Sequence, residues 1–199
     1  MHAATQSNAS STVTLSLHTE IAFHSIRPDF VALYCVRSPV PAPATRVALI
    51  DEIIQGCPSW VIEILSQDRF SISPPDSFLI SGVPDRRVTL TPLLGSAGRR
   101  TIRWHSSVRG LDPEAEAAAV KFREVASSLA YPVALTPGTL LVFANDRCLH
   151  GRDTFQASYN QADRWLLRTY ILRDIMRISL GGLAVGGSPT PPIISARSA

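Results

Sequence analysis

Between Asp29 and Arg37 the chain reads DFVALYCVR, an apolar and β-rich run that predicts a buried strand. Pro39, Pro41 and Pro43 follow and force a loop, because proline fixes φ and cannot donate to a strand ladder. Arg46 to Gln55 (RVALIDEIIQ) has apolar residues at helical spacing and stops at Gly56, Cys57 and Pro58, which predicts a helix. Residues 66 to 100 mix prolines, glycines and charges and predict loops with short strands. The clearest helix starts at Asp112, a good N-cap, with Pro113 in the first turn and Glu114 and Glu116 near the positive end of the helix dipole. Ala115, Ala119, Phe122, Ala126 and Leu129 recur at steps of three and four and give it one apolar face, ending before Tyr131-Pro132.

Beyond that helix the pattern predicts a strand from Val133 to Leu135, a turn at Thr136-Pro137-Gly138, and strands over Thr139–Ala144 and Arg164–Arg173. Residues 1–11 are small and polar, and 179–199 are rich in Gly, Pro and Ser. Both ends are expected to be loose, leaving 12–178 as one folded core. There are no internal repeats. Many short strands with one packed helix predict a mainly β fold with helices, a sandwich or barrel with helical additions.

Composition narrows the function classes. At 199 residues the chain can bury a core of its own, and 45% hydrophobic against 18% charged residues makes it globular. The net charge of +3 comes from scattered side chains, too weak a surplus to argue for nucleic acid or an anionic membrane. Lys121 is the only lysine among the 19 basic residues; all the others are arginine, the better residue for gripping carboxylates. No apolar run is long enough to span a membrane, and Met1 to Ser11 has no secretory pattern. Cys35, Cys57 and Cys148 are odd in number and far apart, unlike a disulfide framework or a cysteine zinc site, which suits a reducing cytoplasm.

Three places carry candidate chemistry. In Leu17-His18-Thr19-Glu20, an extended segment would point His18 and Glu20 to the same side, where both can close on one ion. Alone the pair is common, and a solvated loop would carry it as well. In Leu140 to Gly151 (LLVFANDRCLHG) an apolar strand ends in a polar turn and presents His150. Together the three make two histidines and one carboxylate, a set that leaves open positions on an iron ion for substrate and oxygen. In the last strand, Arg164, Leu166 and Arg168 face one way, so two guanidinium groups enter the interior if that face is inward. Unpaired buried charges are costly, and each arginine therefore calls for an anion: a bound carboxylate, or a structural acid such as Asp146, Asp153 or Asp163.

The order HTE, then HGR 132 residues later, then DRWLLR with Arg164 fourteen residues after His150, resembles the iron(II)/2-oxoglutarate dioxygenases. Within them it is most similar to the clavaminate synthase-like branch, which includes asparagine oxygenase and arginine β-hydroxylase. LHTEIAFHSIRPDFVALYCVR and LLVFANDRCLHGRDTFQASYNQADRWLLRTYILRD match this branch in wording and spacing, and glutamate in the first motif fits it better than the taurine dioxygenase branch. The resemblance implies a double-stranded β-helix (jelly roll) with His18, Glu20 and His150 as iron(II) ligands. It implies that Arg164, with the Thr45 hydroxyl beside it, holds the distal carboxylate of 2-oxoglutarate, and that Arg168 binds the carboxylate of an amino acid substrate. The implied reaction is hydroxylation of a free, asparagine- or arginine-like L-amino acid, using oxygen and releasing succinate and carbon dioxide.

Two departures qualify the expectation. Family members carry a long segment before the HTE motif, whereas here the motif starts at residue 18. The expectation is a jelly roll incomplete at its N-terminus, with a non-catalytic remnant or a cupin-like metal-binding module as the alternatives. Several relatives carry an aspartate in a stretch resembling Ile102 to Leu111, where this chain has His105, which implies a different substrate side chain.

Overall fold

The computed structural model describes residues 12–74, 87–158, 162–174 and 176–177. The two ends expected to be loose, 1–11 and 179–199, lie outside the described residues. In chain order the elements are β1 (Leu15–His18), β2 (Phe30–Arg37), β3 (Ala44–Leu49), α1 (Ile50–Gly56), α2 (Ser59–Leu65), β4 (Phe70–Ile72), β5 (Val88–Leu90), β6 (Leu93–Leu94), β7 (Thr101–Ile102), β8 (Arg109–Gly110), α3 (Pro113–Leu129), β9 (Tyr131–Ala134), β10 (Leu140–Ala144), β11 (Cys148–Arg152) and β12 (Trp165–Ile171). The strands pair antiparallel in two main sheets, ordered β1–β11–β3–β9 and β10–β2–β12, with two small sheets, β5–β4–β8 and β6–β7.

Strand alternation sorts the first main sheet into two faces. Leu149 and Ala48, register partners on β11 and β3, point into a large apolar core with Ile50, Ile53, Leu65, Phe70, Trp104 and Phe122. The alternate pairs, His150 with Val47 and Arg152 with Thr45, point the other way, toward the second sheet. There Val31, Leu33, Cys35 and Leu135 make a smaller core, with Phe143, Leu166 and Tyr170 against it. One sheet thus turns its apolar face to the helices and its polar face to the space between the sheets.

Several expectations need correction. The helix expected over 46–55 is strand as far as Leu49, and only then helix. Its first half is bonded on both sides, to β11 and to β9, and that pairing overrides the helical spacing. The helix α2 was not legible, because it is one short apolar stretch with no side-chain cap. Leu129, assigned to the apolar face of α3, is 37% exposed at the last turn, whereas Ala115, Ala119, Phe122 and Ala126 are buried. The cap is as expected: the Asp112 carboxylate accepts from the Ala115 amide. Pro132 lies in β9, an edge strand where a missing N–H costs no ladder bond. The turn before β10 has Gly138 at φ +88°, a conformation that disfavours any other residue. No helix among the described residues is long and apolar enough to cross a membrane.

Candidate functional site

His150 does not hang from a turn. Residues 145–147 form the turn, and β11 starts at Cys148, so the chain passes from the second sheet to the centre of the first and carries His150 into the gap. β1 lies beside it, with His18 opposite His150. Gly151 makes this approach possible: a Cβ there would stand 2.5 Å from the Leu15 carbonyl oxygen. After His18 the chain leaves the sheet through a tight turn in which Ile21 takes φ +55°, a strained backbone for a β-branched residue.

The turn is pinned at both ends. Thr19 exchanges hydrogen bonds with Trp104: its amide donates to the Trp104 carbonyl at 2.8 Å and its Oγ1 accepts from the Trp104 amide at 3.2 Å. Asn145, completely buried, accepts from the Glu20 amide at 2.7 Å and donates to the carbonyls of Glu20 and Pro28, both at 3.1 Å. Neither residue was singled out from the sequence. The one available signal was that both are polar residues inside the quoted motifs, beside the candidate ligands.

His18, Glu20 and His150 are all buried, and one ligand atom from each lies within 4.8 Å of the others. The imidazole rings of His18 and His150 are 4.3 Å apart, and the Phe143 ring packs 4.7 Å from His150. Nδ1 of His18 donates to the Ser16 carbonyl at 2.8 Å, and its Nε2 lies 3.8 Å from Glu20 Oε1. His150 Nε2 is 3.2 Å from the same oxygen, and its Nδ1 is buried without a partner among the described residues. Burial pushes the His150 imidazole down to about 4, so it is neutral near pH 7. Burial also works against ionising Glu20, but the adjoining His150 and His18 rings and the charge of Arg168 outweigh it and hold the carboxyl well below its usual range. Two buried imidazoles and one ionised carboxylate, with an orphaned buried ring nitrogen, fit a divalent transition metal.

On β12, Leu166, Arg168 and Tyr170 alternate with the exposed Trp165, Leu167 and Ile171. Arg168 Nη1 donates to Glu20 Oε1 at 2.6 Å and the Tyr170 hydroxyl to Oε2 at 2.7 Å. An anion facing Arg168 is therefore Glu20. Asp153 instead pairs with Arg46 at 2.8 Å.

Arg164 stands just before β12 and donates from Nη2 to the Thr45 hydroxyl at 2.7 Å, joining the two residues expected to act together. Beside them is Arg152, the register partner of Thr45, which the sequence reading did not single out. Arg152 is 5% exposed, donates to the Val13 carbonyl and packs over Phe155. Burial lowers both guanidinium pKa values, Arg164 to about 10 with Arg152 adding to the effect. Each has a buried Nε without a hydrogen-bond partner, and no carboxylate among the described residues pairs with either. Two enclosed cations without a counter-ion among the described residues could hold a carboxylate.

The sequence model of the "Taurine catabolism dioxygenase TauD, TfdA family" matches residues 86–170. The chain is 33% identical over 194 residues to an L-asparagine oxygenase of Streptomyces coelicolor, covering 94% of this chain and 57% of that protein. It is 30% identical over 191 residues to an enduracididine beta-hydroxylase of Streptomyces hygroscopicus, covering 82% of this chain and 54% of that one. Among solved structures, asparagine oxygenase in complex with Fe(II), 2S,3S-3-hydroxyasparagine and succinate aligns with a TM-score of 0.82 and 32% identity, covering 89% of this chain and 56% of that one. The non-heme iron oxygenase OrfP with Fe and alpha-ketoglutaric acid aligns at 0.77 and 30%, covering 90% and 56%. The chain spans about half the length of the relatives it matches.

Proposed function

The chain belongs to the iron(II)/2-oxoglutarate-dependent dioxygenases, in their clavaminate synthase-like branch, and we propose that its reaction is hydroxylation of a free L-amino acid or close derivative. The products of the cosubstrate in this reading are succinate and carbon dioxide. One observation carries it: a buried His-Glu-His set lies between two sheets that also enclose two arginines lacking a counter-ion among the described residues.

His18 Nε2, Glu20 Oε1 and His150 Nε2 would hold the metal. Iron(II), when bound, supplies activation of oxygen at positions the three ligands leave open. The Ser16 carbonyl orients the His18 ring, and Asn145 and Thr19 fix the backbone that carries Glu20. Arg164, the Thr45 hydroxyl and Arg152 receive the distal carboxylate of 2-oxoglutarate, which relieves the repulsion between two buried cations. Arg168, 27% exposed beside Glu20, takes the carboxylate of the amino acid. Phe143, Leu166 and Tyr170 wall the gap and limit water around the reacting groups. The names of the relatives support this reading: they are an asparagine oxygenase and an enduracididine beta-hydroxylase.

Anaerobic titration with iron(II) tests the ligand set. Wild type should bind one iron tightly, and His18→Ala and His150→Ala should each abolish tight binding. Equal affinity in all three proteins would show that the metal, if bound, sits elsewhere.

A further inference from the structure

The two oxygens of the Glu20 carboxylate have different neighbours. Both candidate imidazole ligands approach Oε1, His150 Nε2 to 3.2 Å and His18 Nε2 to 3.8 Å. Arg168 Nη1 donates to that same oxygen at 2.6 Å. Oε2 accepts from the Tyr170 hydroxyl at 2.7 Å. An ionised carboxylate can only accept, so the phenol proton points at Oε2.

Tyr170 is held where it can keep that contact. It is the register partner of Val31, a fully buried residue of the smaller core, and it packs against that core. Arg168 stands two residues earlier on the same face of β12, its guanidinium 5.1 Å from the centre of the Tyr170 ring. The two side chains put one donor on each oxygen, but their tasks differ. Arg168 is the group assigned to the amino acid carboxylate, and the oxygen it holds is the one a metal would share. Tyr170 carries no charge, and its oxygen is the one left over.

The number of bonds Glu20 makes to the metal decides how many positions remain. With six positions on the ion, two imidazoles and one carboxylate oxygen leave three: two for a chelating 2-oxo acid and one for oxygen. A second bond from Glu20 would take one of these. To make it, Oε2 would have to leave the phenol, which loses a hydrogen bond strengthened by the charge of its acceptor.

We propose that Tyr170 is a positioning residue that confines Glu20 to a single metal bond through Oε1 and so keeps a position open for cosubstrate and oxygen. This goes beyond the hydroxylase reading and rests on its ligand set. The test uses Tyr170→Phe, which keeps the ring and removes only the hydroxyl. Manganese(II) is bound to the full chain, and the broadening of its EPR line in oxygen-17-enriched water counts the coordinated waters. Wild type should hold three waters and Tyr170→Phe two, with manganese affinity changed by less than about threefold because the second oxygen replaces a water. Arg168→Leu, which removes the donor at Oε1, should still hold three. In the iron(II) protein, Tyr170→Phe should weaken 2-oxoglutarate about tenfold, read from the visible band of the complex. Equal water counts in wild type and Tyr170→Phe overturn the inference, as do two waters already in wild type. A count that falls in both variants also overturns it, since any loosening of Glu20 would then free its second oxygen. If the counts come out as expected but 2-oxoglutarate gives no band with wild type, the cosubstrate reading fails while the restraint on Glu20 stands.

Discussion

Replacing Asn145 by leucine isolates what positions the carboxylate at the centre of the site. Leucine keeps the branched skeleton of asparagine and is somewhat larger, so the change removes hydrogen bonds without opening a cavity. It leaves the Glu20 amide and the carbonyls of Glu20 and Pro28 without their buried partner. A buried polar group left unsatisfied costs about 1–3 kcal/mol. Carbonyls can find second partners, so the three together should cost about 3–5 kcal/mol, a large share of a domain stability of about 5–15 kcal/mol. Glu20 is also freed to swing, and loss of such a supporting contact weakens metal sites by roughly 10–100-fold. Urea denaturation of the metal-free protein reads the first effect and anaerobic metal titration the second. Asn145→Asp is the informative companion: it keeps the acceptor for the Glu20 amide but turns a charged oxygen on two carbonyls, so it should also lose stability. A leucine variant that loses less than about 1 kcal/mol and binds metal like wild type would refute the positioning argument.

Other perturbations separate the remaining parts of the account. Gly151→Ala puts a methyl against the Leu15 carbonyl and must shift the strand that carries His18; it should lower the melting temperature and weaken metal binding, and a normal variant in both assays contradicts the close-approach argument. Arg164→Leu should weaken 2-oxoglutarate by roughly 10–100-fold for a charged contact of about 1.5–3 kcal/mol, read from the spectrum of the iron–2-oxoglutarate complex. Arg152→Met should weaken it too, yet leave the ligand-free protein as stable or more so, because an enclosed charge without a counter-ion among the described residues is removed; a destabilised variant with unchanged cosubstrate affinity makes Arg152 purely structural. His105 and His150 are both held down to about 4 by burial, against 6.5 when unfolded. Between about pH 6.5 and 4 the unfolded chain binds protons that the folded chain refuses, so metal-free protein should lose stability on acidification through that window, by up to about 1.4 kcal/mol per pH unit for each histidine. Equal urea midpoints at pH 7 and pH 5 would contradict this.

The chemistry was more legible in the sequence than the architecture around it. His18, Glu20 and His150 could be grouped because ligand chemistry admits few residue types and the motifs are short. The strands bearing them were harder. Ala44–Leu49 is flanked by strands on both sides, a fact decided by residues a hundred positions away, and its apolar spacing on its own mimics a helix. β11 was hidden because it follows β10 after a three-residue turn and yet pairs in the other sheet. Arg152 was passed over because nothing local tells a surface arginine from a buried one; its enclosure comes from β1, β3 and the segment before β12. Asn145 escaped for the same reason, since its three partners lie on the far side of the sequence. The partner of Arg168 was foreseen as an anion but not as Glu20, because the contact forms between the two sheets and no local spacing reports it.

The most direct test of the central claim is a stoichiometry. Purified protein, iron(II), 2-oxoglutarate and a panel of free L-amino acids are incubated under isotopically labelled oxygen, and succinate and amino acid products are measured together by mass spectrometry. The account predicts one amino acid gaining a single labelled oxygen atom in a one-to-one ratio with succinate, with neither product formed by His150→Ala. Succinate formed without any hydroxylated amino acid, or product formation that survives His150→Ala, would contradict it.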